Sequence, residues 1–240
     1  ITVCIAITDN NDITSYETRT FPTFSENLRE CRDWLLSKGI TDACMESTGK
    51  YWIPVYNILE AKIHCIITHP KYVRTILGKK TDKKDAKWIA DMFKHGLVEP
   101  SFMPPKDIRE LRDLMRYRNK LVNIRTGEKN RFQNSLTVSN IQIANVLTDT
   151  FGKTAQSILT SVLENPNITL DDIRPLLRKN IKSTPEEIYK AIDGNFSEYQ
   201  SSKMSICLSH YDAINSCIDN LEQYILKLAI NYSTEINLLL

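Results

Sequence analysis

Three carboxylates in this chain are spaced so that they could act together. Asp82 and Asp85 lie three residues apart in Thr81-Asp82-Lys83-Lys84-Asp85, at the start of a predicted helix, so both project from one face. Glu46 closes a short apolar run, residues 40–46, that reads as a buried strand; a carboxylate is out of place there unless something pairs with it. Mg²⁺ takes carboxylate oxygens and keeps several waters, so a few acids plus substrate phosphates are enough to hold it. Two such ions can activate a nucleophile and stabilise the leaving oxygen of a phosphodiester. The three residues therefore point to a divalent-metal site acting on nucleic-acid phosphates. A plainer reading makes Asp82 and Asp85 first-turn acids favoured by the helix dipole, with Thr81 as the cap. Spacing alone does not separate the two readings, and it is Glu46 that favours the metal.

The surrounding sequence predicts the elements that would position these groups. Residues 1–8 are apolar and β-branched, Asp9-Asn10-Asn11-Asp12 is a turn, and residues 13–21 alternate weakly, which together read as a hairpin. A helix with Leu28, Cys31, Trp34 and Leu35 on one face ends at Lys38-Gly39. Strand 40–46, helix 51–61 and strand 63–68 follow, and this alternation predicts an α/β domain with a mixed sheet. Helix then takes over. Residues 71–77 form a short one, and 83–95 an amphipathic one through Ala86, Ile89, Ala90 and Phe93. Pro104-Pro105 opens a long pattern through Ile108, Leu111, Leu114, Tyr117, Leu121 and Ile124 that continues to about Leu147. Shorter helices start at Thr169 and Thr184. Near the end, Tyr211, Ile214, Ile218, Leu221, Ile225, Leu228 and Tyr232 recur at alternating spacings of three and four. That is the seam of a coiled coil and predicts a homo-oligomer; an amphipathic helix in a globular core gives the same spacing over a shorter run.

Bulk composition narrows the function. The 240 residues are 42% hydrophobic and 25% charged, the balance of an ordinary soluble protein. No apolar run approaches the roughly 18 residues of a membrane span, and no secretory leader is legible. Six cysteines without a CxxC pair read as buried thiols of a reducing compartment, so the expected location is the cytoplasm. The net charge of +2 hides an asymmetry: residues 71–132 hold 17 Lys and Arg against 8 Asp and Glu, and the remainder 14 against 21. A basic segment in an otherwise acidic chain favours a polyanionic partner. Its candidate contacts are Lys79, Lys80, Lys83 and Lys84, then Arg109, Arg112, Arg116, Arg118, Lys120, Arg125, Lys129 and Arg131, with Tyr117 and Phe132 interleaved as possible base-stacking groups. Pairing of some arginines with Glu110 and Asp113, and burial of the two aromatics, is the competing reading. His64, His69 and His95 fall in no ligand pattern and read as structural.

Several long motifs occur in a telling order: Met45-Glu46-Ser47-Thr48-Gly49-Lys50-Tyr51-Trp52, Gly78-Lys79-Lys80-Thr81-Asp82-Lys83-Lys84-Asp85-Ala86 and Ile108-Arg109-Glu110-Leu111-Arg112-Asp113-Leu114, followed by Arg116-Tyr117-Arg118 and Glu128-Lys129-Asn130-Arg131. With them the chain resembles the DEDD-type transposases of bacterial insertion sequences, the recombinases of the insertion-sequence-110 group, which are related to pilin-gene invertases. The resemblance runs from near Ile1 to about Gly152 and more loosely beyond.

The resemblance implies an RNase H-like (RuvC-like) mixed sheet with helices, followed by long helices forming a coiled coil, so α/β plus all-α. It divides the chain into a catalytic domain at 1–103, a basic long helix at 104–150 and a helical region ending in the coiled coil at 151–240. It implies DNA cleavage and strand exchange by a Mg²⁺ (or Mn²⁺) tetrad and a serine nucleophile in a separate C-terminal domain, guided in part of the family by a structured RNA. Glu46 matches the family's glutamate, and Asp82 and Asp85 its last two aspartates. The first aspartate, carried on a preceding strand, has no counterpart, and Asp9 and Asp12 are not substitutes. The expectation is thus a piece of a longer recombinase, inactive by itself. Lys50, Lys83 and Gly127 depart from the usual family residues. Two other functions compete: a stand-alone RuvC-like nuclease for structured DNA, and a non-catalytic dimeric module that binds nucleic acid.

Overall fold

The computed structural model describes residues 1–73, 81–165, 167–178, 181–195 and 197–238; Lys79 and Lys80 lie outside them. It divides into two compact units, residues 1–104 and 105–240.

In the first unit, β1 (Thr2–Thr8) and β2 (Thr14–Thr20) form the antiparallel hairpin, with Thr2 opposite Thr20 and Thr8 opposite Thr14. The Asp9 carboxylate accepts from the Asn11 and Ile13 amides at 2.9 and 2.8 Å and so shapes the turn. Helix α1 (Ser25–Ser37), strand β3 (Asp42–Glu46), helix α2 (Trp52–Leu59), strand β4 (His64–Thr68), the short helix α3 (Pro70–Val73) and helix α4 (Asp82–Lys94) follow. Strands β3 and β4 pair in parallel, Glu46 opposite Thr68. The single mixed sheet expected from the alternation is absent among the described residues, where two two-stranded sheets stand instead. Periodicity fixes which face of a strand is apolar, but not which strand lies beside it.

Helices cover both faces of these strands. Ile5, Phe21, Cys31, Trp34, Leu35, Leu59 and Ile63 make a core, with Ala43 and Met45 packed against it, so the odd-numbered face of β1 and β3 meets α1 and α2. By alternation Cys44 and Glu46 point to the opposite face. That face belongs to α4. Tyr16, opposite Ala6, donates its hydroxyl to Asp91 of α4, the Lys87 ammonium lies 4.0 Å from the Tyr16 ring centre, and Lys94 reaches Thr14.

The second unit is helical. Helix α5 (Lys106–Val138) is followed by α6 (Lys153–Glu164), α7 (Leu170–Ile173), α8 (Pro185–Ile192), α9 (Glu198–Ala229) and α10 (Ser233–Asn237). The predicted caps are present: Thr169 and Thr184 each form a capping box, with Asp172 and Glu187 reaching back. The long helix ends at Val138, short of the expected Leu147. Asn140 takes φ of 55°, and the Ile141 amide turns back to the Leu136 carbonyl at 2.8 Å.

Helices α5 and α9 run antiparallel. Asp107 accepts from Tyr232, Arg118 contacts Glu222, Arg125 contacts Asn215, and Glu128 lies near His210. The three-four seam of α9 is thereby turned onto α5 within one chain, with Ile218 and Ile225 buried. At the other end of the pair the short helices close a core around Phe132, Ile143, Phe151, Ile158, Ile173, Ile188 and Met204. Among the described residues no helix is long and apolar enough to cross a membrane.

Candidate active site and nucleic-acid interface

Glu46 ends β3, and the ladder continues one residue past it, since the Ser47 amide donates to the Thr68 carbonyl at 2.9 Å. This fixes the backbone that carries the carboxylate. The Thr48 hydroxyl donates to Glu46 Oε1 and restrains the side chain as well. Thr81 caps α4 as the sequence predicts: its backbone is extended and its hydroxyl accepts from the Lys84 amide at 3.4 Å. Asp82 and Asp85 consequently occupy the first turn of α4, where the helix dipole favours negative charge.

All three carboxylates line one cleft of about 690 Å³ in the first unit. Its walls include residues 1–6 of β1 and its flank, all of β3, and the face of α4 that carries Asp82, Asp85, Ile89 and Phe93. Among the described residues β1 pairs only with β2 and β3 only with β4, so each contributes an edge without a described partner strand to the same cleft. The donor set is all hard oxygen, the chemistry Mg²⁺ and Mn²⁺ take. Among the described residues, however, no three His, Cys, Asp or Glu side chains stand close enough to hold one ion. The fold brings the predicted acids to a common cleft without closing them into a coordination shell. Cys31 and Cys44 share the cleft, and burial pushes both thiols up to about 11, so neither is a nucleophile near neutral pH.

The predicted basic contacts divide by surroundings. Lys83 and Lys84 are exposed on the first turn of α4. On α5, Arg112, Arg116 and Lys120 are exposed at spacings of four, with half-buried Arg109 on the same face. Arg118, Arg125, Lys129 and Arg131 meet groups of the same unit. Arg118 donates through Nε and Nη2 to Glu222 Oε1 at 2.7 and 2.6 Å, and Arg125 Nη1 to Asn215 Oδ1 at 3.0 Å. Arg131 Nη1 donates to Glu128 at 2.6 Å, and Lys129 Nζ lies 4.8 Å from the Phe151 ring and 5.5 Å from the Tyr211 ring. Phe132 is fully buried and cannot stack on a base, whereas Tyr117 is 53% exposed. His64 pairs across the β3–β4 ladder with Asp42 at 2.9 Å, and His69 accepts from the Lys71 amide at 3.2 Å.

Sequence reasoning passed over two neighbours of the carboxylates, Thr48 and Tyr51. A hydroxyl two residues beyond a strand-ending glutamate is a local signal for the first. Nothing in the spacing announces the second, which is 84% exposed on the cleft wall.

A family model described as a transposase of the DEDD, IS110 type matches residues 1–141, a span that includes every candidate residue named above. No curated protein matches the chain.

Proposed function

This chain belongs to the DEDD transposases of the IS110 group, and from that premise we propose that its carboxylate cleft serves divalent-metal-dependent cleavage and strand exchange of DNA. The observation that carries the reading is that Glu46, Asp82 and Asp85, drawn from a strand end and a helix start well apart in sequence, line one cleft. Glu46, Asp82 and Asp85 are the residues that would hold the ion, once drawn together from the separate positions they take along the cleft. A bound Mg²⁺ or Mn²⁺ supplies charge that activates an attacking oxygen and stabilises the leaving one. Thr48 keeps the Glu46 carboxylate turned in one direction, and the first turn of α4 presents Asp82 and Asp85 to the cleft. Exposed Lys83 and Lys84 meet the phosphates of the incoming strand.

The edges of β1 and β3 without a described partner strand support an RNase H-like completion of the sheet. One further strand between them gives a five-stranded mixed sheet, and the family resemblance implies that this strand brings the remaining aspartate. The α5 face bearing Arg109, Arg112, Arg116 and Lys120 binds nucleic-acid backbone, of target DNA and of a structured guide RNA. The attacking serine belongs to a separate domain, and no residue of this chain is assigned that role. Copies of the chain associate through what the α5–α9 pair leaves exposed, including Tyr117, Ile124 and Tyr224, because its apolar seam is already closed within one chain.

Mn²⁺ titration followed by water-proton relaxation tests the site. Glu46→Gln and Asp82→Asn are each expected to weaken binding at least tenfold, and Thr48→Val to weaken it about tenfold, the usual effect of losing a group that orients a ligand. Equal binding by all variants refutes the assignment. One observation favours a second reading: the described acids do not close on an ion. A metal-independent binding module predicts nucleic-acid affinity that falls steeply with salt and is unchanged by Mg²⁺.

A further inference from the structure

We propose that Tyr51 is the platform on which an unpaired nucleobase stacks beside the carboxylate cleft; the proposal rests on reading that cleft as the place where a DNA strand is cut. Tyr51 is 84% exposed and lines the same cleft as Glu46, Asp82 and Asp85. The ring adds nothing to the core, since the apolar work of this segment falls to its neighbour Trp52, which meets Tyr56 edge-on at 5.7 Å. Gly49 adopts φ of 55°, and a Cβ at Gly49 would lie 3.5 and 3.6 Å from Cδ2 and Cε2 of Tyr51. One edge of the ring therefore rests over the glycine backbone.

The segment between β3 and α2 is short and tied at both ends. The Ser47 amide bonds Thr68, the Thr48 hydroxyl bonds Glu46, and the Ile53 amide donates to the Lys50 carbonyl at 3.2 Å. The hydroxyl that orients a carboxylate and the glycine that seats the ring are thus consecutive residues. A solvent-facing phenol on a short, hydrogen-bonded turn suits a flat, uncharged partner, and every nucleobase offers a π-face once it is unpaired. A paired duplex keeps its bases stacked on one another, so the platform engages the nucleotide that strand opening releases next to the phosphate in the cleft. Stacking of this kind tolerates any base, so Tyr51 contributes position rather than sequence preference.

The test uses the 240-residue chain and a gapped duplex with 2-aminopurine placed in turn at each gap position, in EDTA so that no metal takes part. Wild type and Tyr51→Phe are expected to quench the fluorophore at one position. Tyr51→Ala is expected to lose the quenching and to bind about 5- to 150-fold more weakly, the range for one base–aromatic stack. Because Tyr51 lies outside the core, thermal melts of the variants should coincide. Quenching by Tyr51→Ala equal to wild type, or none by wild type, overturns the proposal. Asp82→Asn separates it from the metal reading: the variant should keep the quenching while losing Mn²⁺ binding.

Discussion

Replacing Gly127 by alanine should stabilise the helical unit by about 1 kcal/mol, the intrinsic cost of glycine relative to alanine inside a helix. The structure provides the conditions under which that figure applies undiluted. Gly127 lies well inside the 33-residue α5, and its backbone is not in the left-handed region. The nearest atom to an added Cβ is Nη1 of Arg131 at 3.7 Å, an ordinary contact with the end of a flexible side chain. No clash offsets the gain, and the methyl replaces backbone otherwise open to water. Most of the effect comes from the unfolded chain, which loses freedom when a Cβ is added. Urea denaturation followed at the helical circular-dichroism band should show a higher midpoint with an unchanged slope, and the melting temperature should rise by roughly 2–8 °C for a unit of this size. A fall in stability, or a changed slope, would mean that α5 bends or opens at Gly127, and the account of a continuous helix would fail.

The remaining predictions concern packing and charge. Gly194→Ala should destabilise the same unit by about 1–3 kcal/mol, because the new Cβ would lie 2.4 Å from the Ser139 carbonyl oxygen and 2.5 Å from Ile141 Cδ1; an unchanged urea midpoint would contradict that close approach. Arg116→Ala and Arg118→Ala should differ in kind. The first should lower the salt dependence of nucleic-acid binding by about one in the log–log slope and leave stability alone. The second breaks a half-exposed pair with Glu222 and should cost within about 1 kcal/mol of stability while leaving that slope unchanged. Identical salt slopes for the two variants would erase the distinction between the faces of α5.

Local signals in this sequence proved readable, and partnerships did not. Thr81, Thr169 and Thr184 cap the helices they precede because capping is settled within one turn of chain. Asp82 and Asp85 share a helix face for the same reason. The end of α5 at Val138 was also locally encoded, by an asparagine that tolerates a positive φ, but the continuing apolar pattern masked it. The partner of the α9 seam was hidden in another way. Periodicity names a face and says nothing about what covers it. The complementary stripe on α5 carries Arg118, Arg125 and Glu128 among its leucines, so Arg118 and Arg125 read as nucleic-acid contacts rather than as partners of α9. Strand pairing failed similarly: alternation told the two faces of β1 and β3 apart but could not show that, among the described residues, both strands border one cleft without pairing to each other.

The polar residues in the α5–α9 seam make the helix pair a ruler. A purely apolar seam could slide by a heptad and bury nearly the same area. Here a slide would separate Arg118 from Glu222, Arg125 from Asn215 and Glu128 from His210 all at once, leaving Glu128, 8% exposed, without its cross-helix neighbour. Asp107 and Tyr232 peg the opposite end. At about 1.5 Å per residue α5 measures roughly 50 Å, and the pegs hold its mate at one setting along that length.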